Sequence, residues 1–298
     1  MSHLSRFAAV VGSAALLVAS SSHAATEGLI GDYQFNDTFA PVVGTMPAMT
    51  EIGPGDGDFI FDTVFENSRF AYSFPRHNGL LLTPTTNLES TEAYTIILEM
   101  RLDEVSGYRR LIDFKNGTSD TGLYLQSGAL VFYNKSTAGG RVCPDTWVQV
   151  AVTRDTNKNV IGYIDGNAYF HFNDTTDISM ISANALRFFR DNECGAGACT
   201  EASAGAVARI LIYDFAMLGS DLHQFAGVPC GDANRDGSIK AGDSLIALKT
   251  AVGSACCQVE SCDVGAPGGI NASDSLAILK AAVGQDIDLV CPQMAIFP

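Results

Sequence analysis

The 298-residue sequence has little positive charge, few histidines and a single tryptophan. Its 18 lysines and arginines stand against 33 aspartates and glutamates, so the formal net charge is −15. A nucleic-acid-binding protein needs a basic face for the phosphates, and this composition argues against one. Outside the N-terminal segment the histidines are His77, His171 and His223, and none belongs to a metal-binding or catalytic-triad motif.

Long hydrophobic runs are missing from the sequence after its first 24 residues. The N-terminal segment combines one arginine, an apolar run from Phe7 to Ala19 and small residues up to Ala24. This pattern predicts a secretory signal peptide over residues 1–24. No later apolar stretch approaches the roughly 20 residues of a membrane span. We therefore expect a soluble protein that is exported, by a bacterium, to the extracellular space.

The eight cysteines all follow the predicted signal peptide, three before residue 228 and five after it. An even number of cysteines in an exported protein favours disulfides over a thiol nucleophile or a zinc site. Because both groups are odd in number, we expect one bridge between the two regions, with Cys143 as a candidate. Cys194 and Cys199 form a plausible local pair, and Cys230 and Cys291 flank the C-terminal region like a staple. The pairing is otherwise left open for Cys256, Cys257 and Cys262.

Helical periodicity is almost absent before Ser220. Within segments 94–102 (YTIILEMRL), 147–155 (WVQVAVTRD) and 207–215 (VARILIYDF) the side-chain character alternates with a period of two residues. These segments are also rich in β-branched and aromatic residues. Breaks at Gly, Asn and Asp recur about every eight to twelve residues, as in antiparallel sandwiches. The pattern predicts a mainly β fold, an antiparallel jelly-roll sandwich over residues 25–227. Trp147 is interpreted as a core residue, and Asp165-Gly166 as a hairpin turn.

The order of these segments resembles the laminin-G-like, concanavalin A-like jelly rolls. The resemblance covers most of residues 28–225 and also rests on the hairpin at 122–133 and the closing strands at 186–191 and 208–214. It implies a calcium ion at one edge of the sandwich and nearby loops that hold a glycan or a protein. The residues that such a site would use here lie on the acidic loop between the last two long strands and are Asp191, Asn192 and Glu201.

The C-terminal region contains an internal duplication. A shift of 31 residues aligns residues 232–253 with residues 263–284, and 12 of the 22 positions are identical. Oxygen-bearing side chains stand at positions one, three, five and twelve of the first copy, a glycine stands at position six, and a backbone carbonyl is available at position seven. This spacing is that of a calcium loop. The predicted ligands are Asp232, Asn234, Asp236, the carbonyl of Ser238, and Asp243.

The second copy keeps fewer oxygen ligands than the first. Gly265 and Pro267 occupy its third and fifth positions, which leaves Asp263, Asn271 and Asp274 as a weak ligand set. After each loop, Leu, Ile and Ala recur three and four residues apart until a glycine, which predicts a short amphipathic helix with a glycine C-cap. Residues 228–298 are thus predicted to form a small α-helical calcium-loop domain.

A calcium loop followed by a helix, twice within about sixty residues, resembles the type I dockerin family. The resemblance covers residues 230–292 and implies two calcium loops, near two-fold symmetry and docking onto a cohesin-like partner. The positions that read the partner in that family carry small residues in this sequence. They are Ala241 and Gly242 in the first copy, and Ala272 and Ser273 in the second.

No carboxylate pair with the spacing of a glycosidase is evident. Glu99 and Asp103 share one face of a predicted strand without the spacing of the known strand-borne acid pair. We therefore predict a secreted, non-catalytic, calcium-binding protein. Its jelly roll would recognise a carbohydrate or a protein, and its dockerin-like module would serve assembly in polysaccharide utilisation. The alternatives are a glycoside hydrolase carried to a complex by its dockerin, and a structural component whose repeat region packs against its own jelly roll.

Overall fold

The computed structural model describes residues 27–89, 92–181, 184–192, 199–226, 228–265 and 268–292. Within these ranges the chain forms fifteen strands and five short helices. The predicted signal peptide, residues 1–24, lies outside the described residues. Among the helices that are described, none has the length and apolar character needed to cross a bilayer.

The larger of the two antiparallel sheets has nine strands. In spatial order they are β13 (Asn167–Asn173), β12 (Asn159–Ile164), β11 (Val148–Arg154), β7 (Tyr94–Leu102), β15 (Gly205–Tyr213), β1 (Leu29–Tyr33) and β2 (Val43–Gly44), with β5 (Asn67–Phe74) beside β15 and β4 (Asp58–Val64) beside β5. Strand β7 lies at the centre and is buried at eight of its nine residues. Its Thr95 pairs with Thr153 on one side and with Tyr213 on the other.

The second sheet has six strands. In spatial order they are β10 (Ala129–Phe132), β9 (Leu123–Gln126), β8 (Tyr108–Asp113), β14 (Leu186–Phe188), β6 (Gly79–Leu82) and β3 (Thr50–Ile52). The three strands β8, β9 and β10 follow one another in the chain, whereas β14 is distant in sequence from both of its neighbours, β6 and β8. This long-range pairing brings the segment after β14 next to the loop between β8 and β9.

The main hydrophobic core includes side chains from both sheets. In β9, Leu123 and Leu125 belong to this core, whereas Tyr124 between them does not. Successive side chains of a strand point to opposite faces, so Tyr124 lies on the outer face of the six-stranded sheet. Trp147 is 8% exposed and packs in a satellite cluster with Val64, which confirms its interpretation as a core residue.

The predicted turn between β12 and β13 is confirmed. Asp165 and Gly166 have φ values of 50° and 77°. Two left-handed residues in a two-residue loop are typical of a type I′ turn, whose twist matches that of the flanking strands.

The remaining elements are five short helices, four of them C-terminal to the last strand. They are α1 (Thr86–Glu89), α2 (Gly219–Ala226), α3 (Ala241–Ala251), α4 (Val259–Cys262) and α5 (Ala272–Ala282). The mainly β sandwich with a few short C-terminal helices is confirmed. The domain boundary near residue 227 and the dockerin-like character of residues 228–298 stay predictions.

Helices α3 and α5 end in the same way, as the duplication predicts. In α3 the amide of Gly253 donates to the carbonyl of Thr250, and the amide of Ser254 donates to that of Lys249. Gly284 and Gln285 make the equivalent bonds at the end of α5. Both patterns are Schellman motifs, which need a left-handed residue such as glycine after the helix. The two glycines have φ values of 74° and 76°.

Candidate functional site

The first predicted calcium loop is wound around two buried carboxylates. Asp232 accepts hydrogen bonds from the amides of Asp236 (3.1 Å) and Gly237 (2.8 Å). Asp243 accepts from the amides of Asn234 (3.0 Å) and Lys240 (2.8 Å). Gly237 has a φ of 79°, in the left-handed region that glycine adopts at little cost. The loop backbone is therefore folded around Asp232 and Asp243.

The electrostatics of this loop suit a cation. Burial raises the pKa of Asp232, and the nearby charge of Asp243 raises it further. Both side chains are fully buried, and no ion pair between described residues involves either of them. Two adjacent buried carboxylates without a cationic partner are costly. A divalent cation would relieve this repulsion, so the residues present fit the predicted ion.

The other predicted ligands of the first loop are exposed. Asp236 forms an ion pair with Lys240 (3.1 Å) and accepts a hydrogen bond from Asn234 (3.0 Å). Ser238 is exposed beside them. The structure thus brings Asp232 and Asp243 together, and it places Asn234, Asp236 and Ser238 at the solvent side of the same loop.

The second loop retains the two buried aspartates in a different setting. Asp274 accepts hydrogen bonds from the amides of Val264 (3.1 Å) and Asn271 (2.9 Å). Asp263 is buried, and its Oδ1 has no hydrogen-bond partner among the described residues. The Oδ1 atom of Asn271 accepts the amide of Ser273 (2.8 Å) and so caps α5. Two of the three predicted ligands therefore lie inside this loop, while the third is engaged in capping.

A second acidic site lies where the β8–β9 loop meets the segment between β14 and β15. Oxygens of Asp120, Asp191 and Glu201 lie within 4.8 Å of one another, a distance that suits a shared cation. We call these three residues the edge cluster. Among the described residues it is the only group of three acidic side chains this close. Asp191 and Glu201 were predicted from the sequence, whereas Asp120 was missed because it stands on the distant loop between β8 and β9.

A buried arginine organises the edge cluster. Arg110 of β8 contacts Asp191 through Nε (2.9 Å) and Asp120 through Nη2 (3.2 Å). Its Nη2 also donates to Asn192 (2.7 Å), the remaining predicted residue of this site. The guanidinium of Arg110 therefore contacts Asp120, Asp191 and Asn192. Its positive charge offsets one of the three negative charges of the edge cluster.

One tyrosine contacts the edge cluster, and two more pack against that tyrosine. The hydroxyl of Tyr124 donates to Asp120 (3.0 Å) and approaches Asp191 (3.3 Å). Arg110 lies over the Tyr124 ring at 4.5 Å. Burial raises the pKa of Tyr124, so its hydroxyl stays protonated and donates. Beside it, the half-buried rings of Tyr108 and Tyr133 lie 5.5 Å apart in an edge-to-face arrangement.

The two carboxylates considered for glycosidase chemistry are each engaged with an arginine. Glu99 is buried against Arg69, and burial raises the pKa of Glu99. Asp103 is exposed and pairs with Arg101 at 3.6 Å. Each of the two carboxylates is thus held by an arginine of its own.

Disulfides join the sandwich to the C-terminal region and close that region on itself. The bridges between described residues are Cys143–Cys256, Cys230–Cys291 and Cys257–Cys262. The predicted inter-region bridge from Cys143 is present, with 5.6 Å between the Cα atoms, and so is the predicted staple. Cys199 is also disulfide-bonded, whereas Cys194 lies outside the described residues.

Comparison with known proteins identifies the fold of the sandwich. Residues 76–223 match the family model of the Concanavalin A-like lectin/glucanases superfamily. Domain 4 of AbnA, an extracellular arabinanase of family GH43 from Geobacillus stearothermophilus whose structure holds arabinotriose, has a TM-score of 0.54 at 16% identity. That match covers 66% of this chain and 98% of the arabinanase domain. No curated protein matches the chain.

Two toxin structures have the same fold. Botulinum neurotoxin type C, described as entering cells through interaction with two ganglioside molecules, has a TM-score of 0.50 at 16% identity. The match covers 69% of this chain and 52% of the toxin chain. The binding domain of Paraclostridial Mosquitocidal Protein 1 also reaches 0.50, at 12% identity, with 68% and 52% covered. The sandwich of this chain thus has the jelly-roll fold of the concanavalin A-like lectins and glucanases.

Proposed function

We propose that this protein is a secreted, non-catalytic recognition protein whose jelly roll binds a glycan in the presence of calcium. The observation that carries the proposal is the edge cluster beside the rings of Tyr108 and Tyr133. Aromatic rings offer an apolar face to a sugar ring, and carboxylates accept hydrogen bonds from its hydroxyls. The arabinotriose bound to the arabinanase domain and the gangliosides of the botulinum toxin support a carbohydrate ligand.

Calcium at the edge cluster would be held by Asp120, Asp191 and Glu201. Hard carboxylate oxygens are the ligands that calcium prefers. The ion would supply open coordination positions for sugar hydroxyls. Arg110 and Tyr124 hold the carboxylates of Asp120 and Asp191 in place, and Asn192 is fixed at the same site through its bond to Arg110. These neighbours keep the side chains of Asp120 and Asp191 oriented before an ion arrives.

In the C-terminal region, the first loop is the principal calcium site of the proposal. Its ligands would be Asp232, Asn234, Asp236, the carbonyl of Ser238, and Asp243. The second loop, with Asp263, Asn271 and Asp274, would bind calcium weakly, because Asn271 already caps α5. Because calcium would bind the folded loop and not the unfolded chain, it would stabilise the fold.

Helices α3 and α5 offer a surface for assembly with a partner protein. Six apolar side chains on these helices and their C-cap residues are 39% to 72% exposed. They occupy equivalent positions of the two repeats and are Leu245, Leu248, Val252, Leu276, Leu279 and Val283. Exposed apolar side chains that recur in this way are typical of protein interfaces. A cohesin-like partner of a dockerin-like module would bind this surface.

A structural role for the C-terminal region is the second candidate function. This role is supported by the Cys143–Cys256 bridge and by the contacts of Arg235 and Glu260 with the sandwich. These contacts leave the exposed helix surface uncovered, so the two roles are compatible. The glycoside hydrolase alternative stays a prediction, which release of reducing sugar from polysaccharides would test.

A glycan array probed with the full chain, with calcium and with EDTA, tests the recognition function. We expect calcium-dependent binding to one class of glycan, lost in Asp120→Asn and in Tyr133→Ala. Phe61→Ala is the matched control, because Phe61 is a 66% exposed aromatic residue on the other sheet. The proposal fails if no glycan is retained, or if the two site variants bind like the control.

Thermal unfolding with and without EDTA tests the metal part of the proposal. We expect EDTA to lower the melting temperature of the wild type, and to do so much less in Asp232→Asn. If EDTA does not change the melting temperature of the wild type, calcium binding by the first loop is contradicted.

A further inference from the structure

One residue of the first calcium loop points into the sandwich instead of toward the loop. Arg235 stands between Asn234 and Asp236 and has a φ of 61°. This left-handed backbone accompanies a side chain that is directed away from the predicted ion, and the residue is only 7% exposed. Arg235, at position four of the loop, is thus anchored by contacts outside the loop.

The anchor is a buried, charge-assisted contact with the β12–β13 turn. Nη2 of Arg235 pairs with Asp165 at 2.5 Å, and Nη1 donates to the carbonyl of Trp147 (3.0 Å). The guanidinium also lies 5.9 Å from the ring of Phe65. Both members of the ion pair have side chains that are 4% exposed. Loss of one partner from such a pair leaves an uncompensated buried charge.

The sandwich side of the anchor is held firmly. Oδ1 of Asp165 accepts the amide of Gln149 on β11 (3.1 Å), and the amide of Asp165 donates to the carbonyl of Gln149 (2.9 Å). The bonds to Gln149 therefore fix the orientation of the Asp165 carboxylate independently of Arg235. A rigid acceptor of this kind restricts the position of the arginine and, through it, of the loop.

Other parts of the first loop also meet the sandwich. A Cβ on Gly237 would overlap the carboxyl group of Glu66, so the β4–β5 turn lies directly against position six of the loop. Asp232 lines a cavity of about 330 Å³ together with Arg69 and Glu99 of the sandwich. The second repeat carries Ala266 where the first has Arg235, and an alanine cannot form this ion pair.

We infer that calcium binding by the first loop and docking of the C-terminal region on the sandwich are one coupled equilibrium, with Arg235 as the positioning residue. The inference rests on the proposed calcium site. When Arg235 is bound to Asp165, the backbone between the ligands at positions three and five is fixed, which prepares the loop for the ion. By reciprocity, calcium in the loop favours the docked position of Arg235.

Calcium titration of the full chain by calorimetry tests this coupling. We expect Arg235→Gln to weaken calcium binding about tenfold and Asp165→Asn to weaken it to a similar extent, with no further loss in the double variant. The Cys143–Cys256 bridge keeps the two regions joined in every variant. The control is Arg101→Gln, because Arg101 also contacts Trp147, with its guanidinium 5.7 Å from the ring, but belongs to the sandwich.

Hydrogen exchange of the wild type gives a second readout that needs no variant. Calcium should slow exchange of the Gln149 amide, which donates to the Asp165 carboxylate, although this amide lies outside the loop. If the wild type binds calcium but Arg235→Gln binds equally well and this exchange is unchanged, the coupling is overturned and the calcium site stands. If the wild type binds no calcium, both are overturned.

Discussion

The side chains of Ser244 and Ser275 donate hydrogen bonds to each other's backbone carbonyls across the contact between α3 and α5. The two bonds measure 2.8 Å and 2.9 Å, and the hydroxyl oxygens are 3.0 Å apart. These serines are equivalent residues of the duplicated sequence. A reciprocal contact between equivalent residues is what a local two-fold axis produces, so the repeat in sequence corresponds to symmetric packing in the fold.

Removing either hydroxyl of this pair should loosen the helix contact. We expect Ser244→Ala and Ser275→Ala each to lower the local unfolding free energy by about 1 kcal/mol. The double variant should lose less than the sum, because the two hydroxyls share one contact. Amide hydrogen exchange of α3 and α5 in the full chain measures both effects. Ser254→Ala, at an exposed position, is the control, and equal losses in all three single variants would contradict a special role for the pair.

Sequence periodicity was sufficient to predict the elements that depend on local pattern. The boundaries of β7, Tyr94–Leu102, coincide with the alternating segment, and the two C-terminal helices end at the predicted glycines. The folding of the first loop around Asp232 and Asp243 was also evident, because the predicted ligands stand within twelve residues of one another. In each case the signal lies in a short stretch of chain, where spacing alone determines which side chains share a face.

The edge cluster could be predicted only in part, because its residues meet through sheet pairing. Asp120 and Asp191 are 71 positions apart in sequence and come together because β8 pairs with β14. Arg110 and Arg235 gave no signal, since a lone arginine in a strand or loop does not reveal its partner. The choice of partner depends on tertiary contacts that one sequence does not display.

Arg110 should be indispensable for the stability of the sandwich. It is fully buried and pairs with Asp191, which is equally buried. Arg110→Met would leave that carboxylate without its cation, which costs about 3–5 kcal/mol in buried pairs. Lys158→Met is the control, because Lys158 and its partner Asp177 are 38% and 40% exposed, and such pairs contribute less than about 1 kcal/mol. Urea unfolding of the full chain measures both, and a similar loss in the two variants would refute the prediction.

The junction between the C-terminal region and the sandwich should be weaker at high pH. Burial and, next, the charge of Asp165 raise the pKa of Glu260 from 4.5 to about 7, while the hydroxyl of Tyr169 donates to its carboxylate and Arg235 lies nearby. A raised pKa means that the folded state favours the neutral acid. The stabilisation is therefore complete below about pH 4.5 and is lost as the pH rises through about 7.

Comparison of the wild type with Glu260→Gln isolates this effect from other titrating groups. We expect the melting temperature of the wild type to fall relative to that of the variant between about pH 5 and pH 8, because glutamine stays neutral. Glu66→Gln is the control, since Glu66 is an exposed glutamate at the same junction. Parallel pH profiles for the wild type and Glu260→Gln would show that Glu260 does not titrate in this range.

Gly166 should tolerate a methyl group far less well than another glycine of similar backbone conformation. Gly166 and Gly107 have φ values of 77° and 63°, so alanine is strained at both positions by about 1 kcal/mol. A Cβ on Gly166 would lie 2.6 Å from the backbone nitrogen and Cα of His223 in α2, whereas one on Gly107 would approach only an arginine side chain at 3.8 Å. Because backbone atoms cannot rotate away, we expect Gly166→Ala to cost about 1–3 kcal/mol more than Gly107→Ala. Urea unfolding of the two variants measures the difference, and equal costs would mean that α2 does not pack against the β12–β13 turn.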